Sequence, residues 1–350
     1  MLHQNQLFMK RCIDLALLAG IEVKTNPRVG ALLVYKDQII GEGYHSQYGK
    51  SHAEIHAIQN VIQADQYKIP DSTLYVTLEP CSHFGKTPPC THKIIDEGIK
   101  SVVIGCKDPN PMVSGDGINY LKKHGVTVIE SELKKECEDL ISIFKTNLKK
   151  RPFIILKWAQ SADNFISKVN EQVWLSNEFS RVLTHKWRTE CDGIMIGKKT
   201  AITDYPALNA RLYRGANPIR IIMDSHLQAS KYYENTESSS KAFVINQKRS
   251  STKNSIIFLK VRNTKDLSET LSILFANEIS VLMVEGGADL INSFINADMW
   301  DEARIIKTRL KLINGVAAPT LTGKLKNKIK LADDEVLFLE NDPICIRKKR

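Results

Sequence analysis

The chain has 350 residues, of which 43% are hydrophobic and 25% are charged, and this composition is typical of folded globular proteins. No stretch approaches about 18 consecutive apolar residues, so the sequence excludes a membrane-spanning helix. The first residues contain no unbroken apolar segment, and we therefore expect no secretory signal peptide and a cytoplasmic location. At roughly 150 residues per domain, the length predicts two domains.

The net charge and the cysteines limit the kinds of partner. A net charge of +10 is compatible with a nucleic acid or a phosphorylated small molecule, but also with a solvated basic surface. The basic residues are dispersed and no basic stripe is interleaved with aromatic residues, so we expect no nucleic-acid partner. The seven cysteines are irregularly spaced, which predicts reduced thiols rather than a disulfide framework.

In the first half, short apolar runs alternate with segments of helical periodicity. The runs predict strands at 31–35, 39–40, 74–78, 102–105 and 126–129, and the periodic segments predict helices at 51–62 and 91–98. Residues 131–149 form a charged amphipathic stretch that leads into a basic run and then Pro152. Because proline cannot continue a helix, we place the domain boundary here, which gives domains 1–150 and 151–350.

The second half starts again with a strand. Apolar runs predict strands at 153–158, 193–197, 219–223 and 281–285, and the polar residues 234–241 are predicted to form a surface loop. Strands that alternate with helices predict a layered α/β fold for each half. The segment after about residue 325 mixes charged residues with short apolar runs, and its pattern is weak.

Four residues of the first half have the chemistry of a catalytic zinc site. His52 opens a predicted helix, Cys81 follows a strand, and Cys90 follows a proline pair. One histidine and two thiolates suit zinc, and three protein ligands leave a fourth position for a water whose pKa the metal lowers. Glu54 is two residues from His52, so it can carry a proton from that water to a leaving amine without binding the metal.

The order of these residues matches the signature of zinc nucleobase deaminases, with one difference. That signature usually has two residues between its cysteines, whereas eight residues separate Cys81 from Cys90. His83 and His92 are competing ligands, although surface or core histidines are the simpler interpretation. Taken alone, His52, Cys81 and Cys90 are also compatible with a second interpretation, in which they are three unrelated buried side chains that bind no metal.

The flanking sequences indicate a family. The motifs are Asn-Pro-Arg-Val-Gly at 26–30, Gly-Tyr-His at 43–45, the run 76–90 and Asp-Pro-Asn-Pro at 108–111. Together they strongly resemble the bifunctional riboflavin biosynthesis deaminase/reductase family, in which the long cysteine spacing is normal. The resemblance covers about residues 5–320.

This resemblance implies the fold and the activity of the first half. The expected fold is a cytidine-deaminase-like three-layer α/β/α domain. The expected reaction is hydrolytic deamination, by zinc-activated hydroxide, of a diaminohydroxypyrimidine that carries a ribosylamino 5′-phosphate, with Glu54 shuttling the proton. The family pattern also implies that Asn26 and His45 hydrogen-bond the substrate and that Lys86 and Thr87 meet its phosphate. A lysine beside a hydroxyl suits a phosphate, although a solvated loop lysine is the alternative.

Motifs of the second half resemble the reductase domain of the same family, which is similar in fold to dihydrofolate reductase. They are the runs 156–163, 174–176, 185–188 and 284–290, with Gly197, Thr200, Asp204, Leu208 and Arg211. The run Glu285-Gly286-Gly287 also has a physical interpretation of its own. Two glycines turn a strand into a helix, and the free N–H groups of that helix can bind a phosphate of NADPH.

The resemblance implies that NADPH reduces the ribosyl group of the deaminated intermediate to ribityl. The matching cofactor positions are Ala159, Trp174, Thr200, Asp204, Ser225, Gly287, Ala288, Asp289, Leu290, Ile291, Asn292 and Ser293. The matching substrate positions are Lys157, Gln172, Arg188, Leu208, Arg211 and Glu285. Three positions depart from the family pattern, because Ala162 replaces a leucine, Asn164 replaces a glycine and Gln172 replaces a serine. Asparagine tolerates a positive φ, so the turn at Asn164 is expected to survive.

Other interpretations remain. The cysteine spacing and Lys86 argue against a nucleoside or tRNA deaminase with an unrelated second domain, and the Glu285–Gly287 run argues against an inactive reductase half. A nucleic-acid-binding module on a deaminase fold, with structural zinc, is allowed by the charge but leaves Glu54 without a role. We expect one zinc ion per deaminase site, NADPH, phosphorylated pyrimidine substrates, no membrane partner and, from the family, a homo-oligomer.

Overall fold

The computed structural model describes residues 2–84, 88–169, 171, 173–235 and 241–341. The chain divides into two compact units, Met1–Lys149 (unit 1) and Lys150–Arg350 (unit 2). Each unit has a principal sheet of its own. Among the helices of the described residues, none has the length and apolarity needed to cross a membrane.

Unit 1 contains a mixed sheet with helices packed against it. Its strands are β1 (Gly30–Tyr35), β2 (Gln38–Tyr44), β3 (Thr73–Leu78), β4 (Ser101–Cys106) and β5 (Thr127–Glu130). Its α-helices are α1 (Leu2–Leu17), α2 (Ala53–Gln59), α3 (Cys90–Asp96), α4 (Asp116–Lys123), α5 (Lys134–Leu140) and α6 (Ser142–Asn147). The sheet order is β2-β1-β3-β4-β5, in which β3, β4 and β5 run parallel and β1 is antiparallel to both neighbours.

The burial pattern explains how unit 1 positions its loops. Residues of β1 and β3 such as Leu32, Leu33 and Leu74 are fully buried, as expected for central strands covered on both faces. In the parallel pair β3 and β4, Leu78 lies opposite Cys106 at the carboxyl ends. The loops that follow these two strands therefore leave the same edge of the sheet, which is where α/β proteins bind ligands.

The amphipathic stretch 131–149 is divided into two helices. Helix α5 ends at Leu140 and α6 begins at Ser142, with Ile141 between them at φ −101° and ψ 12°. The apolar side of the stretch faces the core, where Cys137 and Ile141 are buried.

Unit 2 contains a larger sheet and a short ribbon. Its strands are β6 (Phe153–Gln160), β7 (Phe165–Ser167), β8 (Gly193–Gly197), β9 (Ile219–Met223), β10 (Ala242–Asn246), β11 (Ser251–Lys253), β12 (Ile256–Lys260), β13 (Val281–Glu285), β14 (Glu302–Lys307), β15 (Val316–Ala317), β16 (Lys324–Leu331) and β17 (Asp334–Glu340). Its α-helices are α7 (Glu178–Thr189), α8 (Lys198–Asp204), α9 (Ser230–Asn235), α10 (Leu267–Ala276) and α11 (Ala288–Asn296). The main sheet has the order β11-β12-β10-β9-β8-β13-β6-β14-β17-β16, and β15 pairs with β7.

The strands from β12 to β14 in this order are parallel, and antiparallel strands extend both edges. Buried residues of the parallel strands, including Ile154, Met195 and Leu282, form the core. The weakly patterned tail contains the hairpin β16–β17, and β17 pairs with β14. The predicted loop 234–241 begins within α9, and residues 236–240 lie outside the described residues.

Candidate active sites

Three side chains of unit 1 converge on one point. His52 caps the start of α2, Cys81 follows β3, and Cys90 is the first residue of α3. The Nδ1 atom of His52 lies 3.6 Å from Sγ of Cys81 and 3.2 Å from Sγ of Cys90, and the three donor atoms lie within 4.8 Å of one another. A zinc ion at about 2.0–2.3 Å from each donor fits these separations, and the donor set leaves one position for water.

The backbone around the cysteines favours the thiolate form of Cys81. The N–H of Cys90 donates to Sγ of Cys81 at 3.3 Å, and Thr91 donates through both its N–H and its hydroxyl to the carbonyl oxygen of Cys81. The hydrogen bond from the Cys90 thiol and the nearby His52 lower the pKa of Cys81 to about 4, although burial opposes them. Thiolates are the form in which cysteine binds zinc.

Glu54 lies beside this cluster and is not part of it. It occupies the first turn of α2 and is only 4% exposed. Burial raises the pKa of Glu54, and the nearby His52 opposes this effect. A carboxylate with a raised pKa is suited to accepting a proton and then returning it.

Asn26 and His45 form a hydrogen-bonded pair next to the cluster. Nδ1 of His45 lies 3.2 Å from the carbonyl oxygen of Ser51, so Nδ1 carries the proton. Nε2 then accepts a hydrogen bond from the Asn26 amide at 3.0 Å. Burial lowers the pKa of His45, which keeps the ring neutral, and its centroid is 5.7 Å from that of His52.

The other predictions for unit 1 have different outcomes. Lys86 and Thr87 lie outside the described residues. His83 is exposed, and the His92 ring stacks on Tyr120 at 5.1 Å. Neither histidine belongs to the metal-binding group found among the described residues.

In unit 2, three of the predicted substrate residues form one ion cluster. Nζ of Lys157 lies 3.0 Å from Oε1 of Glu285, and Arg188 donates to the two oxygens of that carboxylate at 2.9 and 3.1 Å. The side chains are only 11–14% exposed. Burial alone would raise the pKa of Glu285, but the charges of Lys157 and Arg188 and their hydrogen bonds lower it to about 2.

Of the remaining predicted substrate residues, Arg211 is linked to this cluster through Asn209. Arg188 also donates to the carbonyl oxygen of Asn209 at 2.9 Å, and the exposed Arg211 donates to the Asn209 side chain at 2.9 Å. Asn209 therefore joins the two arginines, a role that its sequence position did not suggest. Leu208 is buried with φ 52°, and Gln172 lies outside the described residues.

The predicted cofactor residues follow neighbouring parallel strands. Ser225 follows β9, Thr200 follows β8, Gly287 follows β13, and Ala159 lies near the end of β6. These four strands are adjacent in the sheet, so their carboxyl ends form one binding edge. The hydroxyl of Ser225 pairs with that of Thr264 at 2.6 Å, and Thr264 was not identified from the sequence.

The turn after β13 favours glycine at 286 and leaves little room for a side chain at 287. Gly286 has φ 147°, a conformation that favours glycine. The N–H of Gly287 donates to Oγ1 of Thr200 at 3.1 Å, and a Cβ atom on Gly287 would lie 3.2 Å from the same oxygen. Helix α11 starts at Ala288, so its first N–H groups are available to a phosphate beside this turn.

The side chains of the other predicted cofactor residues are exposed, paired with another residue or buried in the core, or they lie further along α11. Trp174 is 68% exposed, Asp204 is exposed at the end of α8, and the carboxylate of Asp289 pairs with Lys199 at 2.7 Å. Ile291 is fully buried in the core. Leu290, Asn292 and Ser293 lie further along α11, where the hydroxyl of Ser293 donates to the carbonyl oxygen of Leu290 at 2.6 Å.

Comparisons with known proteins match both units. The family model for the cytidine and deoxycytidylate deaminase zinc-binding region matches residues 2–106, and the model for the RibD C-terminal domain matches residues 152–343. The riboflavin biosynthesis protein RibD of Aquifex aeolicus is 37% identical, with 84% of each chain covered. RibD of Actinobacillus pleuropneumoniae is 35% identical, with 90% of this chain and 86% of the relative covered.

A solved structure agrees with these relatives. The diaminohydroxyphosphoribosylaminopyrimidine deaminase/5-amino-6-(5-phosphoribosylamino)uracil reductase of Thermotoga maritima is 31% identical, with a TM-score of 0.86 over 97% of this chain and 99% of the other. The predicted fold class, a cytidine-deaminase-like domain followed by a dihydrofolate-reductase-like domain, is confirmed. So are the two enzyme activities in riboflavin biosynthesis, with zinc and NADPH as cofactors. The chain belongs to the RibD family of bifunctional riboflavin biosynthesis enzymes.

Proposed function

We propose that residues 1–150 deaminate a diaminohydroxypyrimidine carrying a ribosylamino 5′-phosphate, and that residues 151–350 then reduce the resulting phosphoribosylaminouracil with NADPH. The observation that carries this proposal is the convergence of His52, Cys81 and Cys90 beside the buried carboxyl of Glu54. The substrates named for the Thermotoga maritima structure support the choice of pyrimidine.

In the deaminase site, each residue has a separate task. His52, Cys81 and Cys90 would hold the zinc ion, which when bound makes water acidic enough to attack at neutral pH. Glu54 accepts the proton of the attacking water and returns it to the exocyclic amine, which leaves as ammonia. Both ring nitrogens of His45 have protein partners, so His45 orients the Asn26 side chain, whose second amide N–H and carbonyl oxygen would hydrogen-bond the pyrimidine ring. A direct contact of His45 with the substrate rests on the family resemblance.

In the reductase site, the ion cluster arranges charge for a phosphorylated substrate. Glu285 stays ionised and orients Lys157 and Arg188. Arg188 and Arg211, joined through Asn209, supply positive charge and planar donors for the substrate phosphate. The N–H groups at the start of α11 would bind a phosphate of NADPH, which when bound supplies the hydride.

Several finer assignments rest on the family resemblance. They include the contacts of Lys86 and Thr87 with the deaminase substrate, that of Gln172 with the reductase substrate, and a homo-oligomeric state. A cytoplasmic location is supported by the four described cysteines outside the zinc site, Cys12, Cys106, Cys137 and Cys191, which are free thiols.

The test uses full-length, zinc-loaded protein and the phosphorylated diaminopyrimidine. We expect ammonia release first and, after NADPH is added, loss of NADPH absorbance. Glu54→Gln is expected to lower ammonia release by about 100-fold or more, while bound zinc and NADPH oxidation with the deaminated substrate persist. Glu22→Gln, at an exposed position of unit 1, is the matched control.

Two results would contradict the proposal. The absence of ammonia release from folded, zinc-loaded protein would remove the deaminase assignment. Ammonia release without NADPH oxidation would limit the proposal to residues 1–150 and would direct attention to Asn164 and Gln172.

A further inference from the structure

Glu79 is a buried carboxylate that is held by backbone groups alone. It follows β3, directly before Pro80 and Cys81, and is 6% exposed. One oxygen accepts hydrogen bonds from the N–H groups of Gly117 and Ile118 at 3.0 and 3.2 Å. The other accepts from Asp108 and Gly115 at 3.1 and 3.0 Å. Buried carboxylates need such donors when no cation neutralises them.

All four donors belong to the segment 107–118, which comprises the link between β4 and α4 and the first residues of α4. This segment lies beside Cys81 because β3 and β4 are parallel neighbours whose ends are in register. The segment therefore leaves the sheet at the same edge as the loop that carries Cys81.

Segment 107–118 packs closely against Pro80 at Gly117 and borders a cavity elsewhere. Gly117 lies so close to the Pro80 carbonyl that a Cβ atom would come within 2.0 Å of its oxygen. Asp108 and Ile118 of the segment also border a cavity of about 350 Å³ that Ile104 and Glu130 line. The start of the segment is held by the hydrogen bond from Asp108 to Glu79 and by the ion pair of Lys107 with Glu130 at 3.3 Å.

We propose that Glu79 is a positioning residue for the deamination. Its carboxylate fixes segment 107–118 against Pro80 and so sets the wall that the pyrimidine substrate meets. The inference rests on the proposed deaminase function. The hydrogen bonds of the Glu79 carboxylate go to this segment rather than to the zinc donors, so its loss should weaken substrate binding more than metal binding.

The test is Glu79→Gln in the full-length, zinc-loaded protein. A glutamine has one acceptor oxygen, so two of the four N–H groups would face an amide that cannot accept. We expect KM for the pyrimidine to rise about ten-fold or more, with one zinc per chain retained. Glu79→Asp keeps the charge but shortens the side chain, and it should give a smaller rise.

Two further variants separate positioning from general destabilisation. Gly117→Ala displaces the same segment from the Pro80 side, so it should also raise KM. Glu79→Asp keeps the charge and decides the matter if Glu79→Gln does not fold. Val126→Ala removes buried apolar volume elsewhere in the unit 1 core and should lower Tm without changing KM.

The outcomes are distinct. A rise in KM at constant zinc content in Glu79→Gln supports the proposal. A KM within about two-fold of wild type overturns it, as does a loss of zinc that parallels the loss of kcat. If the wild-type protein releases no ammonia, the deaminase function itself is contradicted. This outcome is measured on the wild type alone, so it is distinct from every outcome for the Glu79 variants.

Discussion

Glu285 balances the charges of the reductase site, and replacing it with glutamine should destabilise unit 2 strongly. The substitution preserves shape but leaves Lys157 and Arg188, each with a side chain only 11% exposed, without their carboxylate. Removing one partner of a buried ion pair leaves an uncompensated charge. We therefore expect the free energy of unfolding at pH 7 to fall by about 3 kcal/mol.

The pKa of Glu285 gives the same magnitude and fixes the sign of the pH dependence. Burial acts to raise this pKa, yet the charges of Lys157 and Arg188 bring it from 4.5 to about 2. A shift of that size corresponds to about 3 kcal/mol. Because the pKa is lower in the folded state, the stabilisation is complete above about pH 5 and is lost as the pH falls toward 2. More than half of the difference between wild type and variant should disappear by about pH 3.

The assay can follow unit 2 within the whole chain. All four tryptophans lie in unit 2, so urea unfolding measured by tryptophan fluorescence reports on this unit. Glu269→Gln is the matched control, because the side chain of its partner Arg262 is 88% exposed. The free energy of unfolding of this control should fall by about 1 kcal/mol or less.

Two results would refute the reasoning about the ion cluster. One is a decrease of less than about 1 kcal/mol in the free energy of unfolding of Glu285→Gln at pH 7, because a buried ion cluster would then contribute no more than an exposed ion pair. The other is a difference from wild type that stays constant between about pH 5 and pH 3, because Glu285 would then titrate alike in the folded and unfolded chains.

Three other substitutions test separate parts of the two sites. Cys81→Ser should lower bound zinc, measured by atomic absorption, and abolish ammonia release, while NADPH oxidation with the deaminated substrate continues; unchanged zinc would contradict the donor set. Gly286→Ala places a side chain at φ 147°, which strains the turn expected to bind the NADPH phosphate. The KM for NADPH, measured from initial rates, should therefore rise about ten-fold. An unchanged KM would show that the turn tolerates alanine. Asn164→Gly removes the 2.8 Å hydrogen bond that Gln160 donates, but glycine keeps the turn at φ 64°. The free energy of unfolding, measured by tryptophan fluorescence, should therefore change by about 1 kcal/mol or less. A loss of about 3 kcal/mol would argue against this account.

Local sequence was sufficient where a residue acts through its place in one element. The predicted strand 74–78 corresponds to β3 (Thr73–Leu78), and the predicted helix 91–98 overlaps α3 (Cys90–Asp96). The sequence therefore predicted that Cys81 follows a strand and that Cys90 stands near a helix start. Asn164 takes φ 64°, as expected for an asparagine in place of glycine in this turn.

Sequence reasoning was insufficient where partners are distant along the chain. The donors to Glu79 lie 29–39 residues away in a segment without periodicity, so nothing local marks this glutamate. Lys157 and Glu285 are 128 residues apart and meet because β6 and β13 are neighbours in the sheet. The alternating lysines of β16 are typical of an exposed strand, but its pairing through β17 to β14 depends on the tertiary fold.

The lysines of β16 also affect how unit 2 behaves at high concentration. This edge strand carries Lys324, Lys326, Lys328 and Lys330, and its register shifts between Leu325 and Asn327. The opposite edge is β11, which is short and exposed. Charged, irregular or very short edge strands discourage the addition of a strand from another molecule. Self-association of unit 2 should therefore use helices or loops, and the long sheet is protected against growth into fibrils.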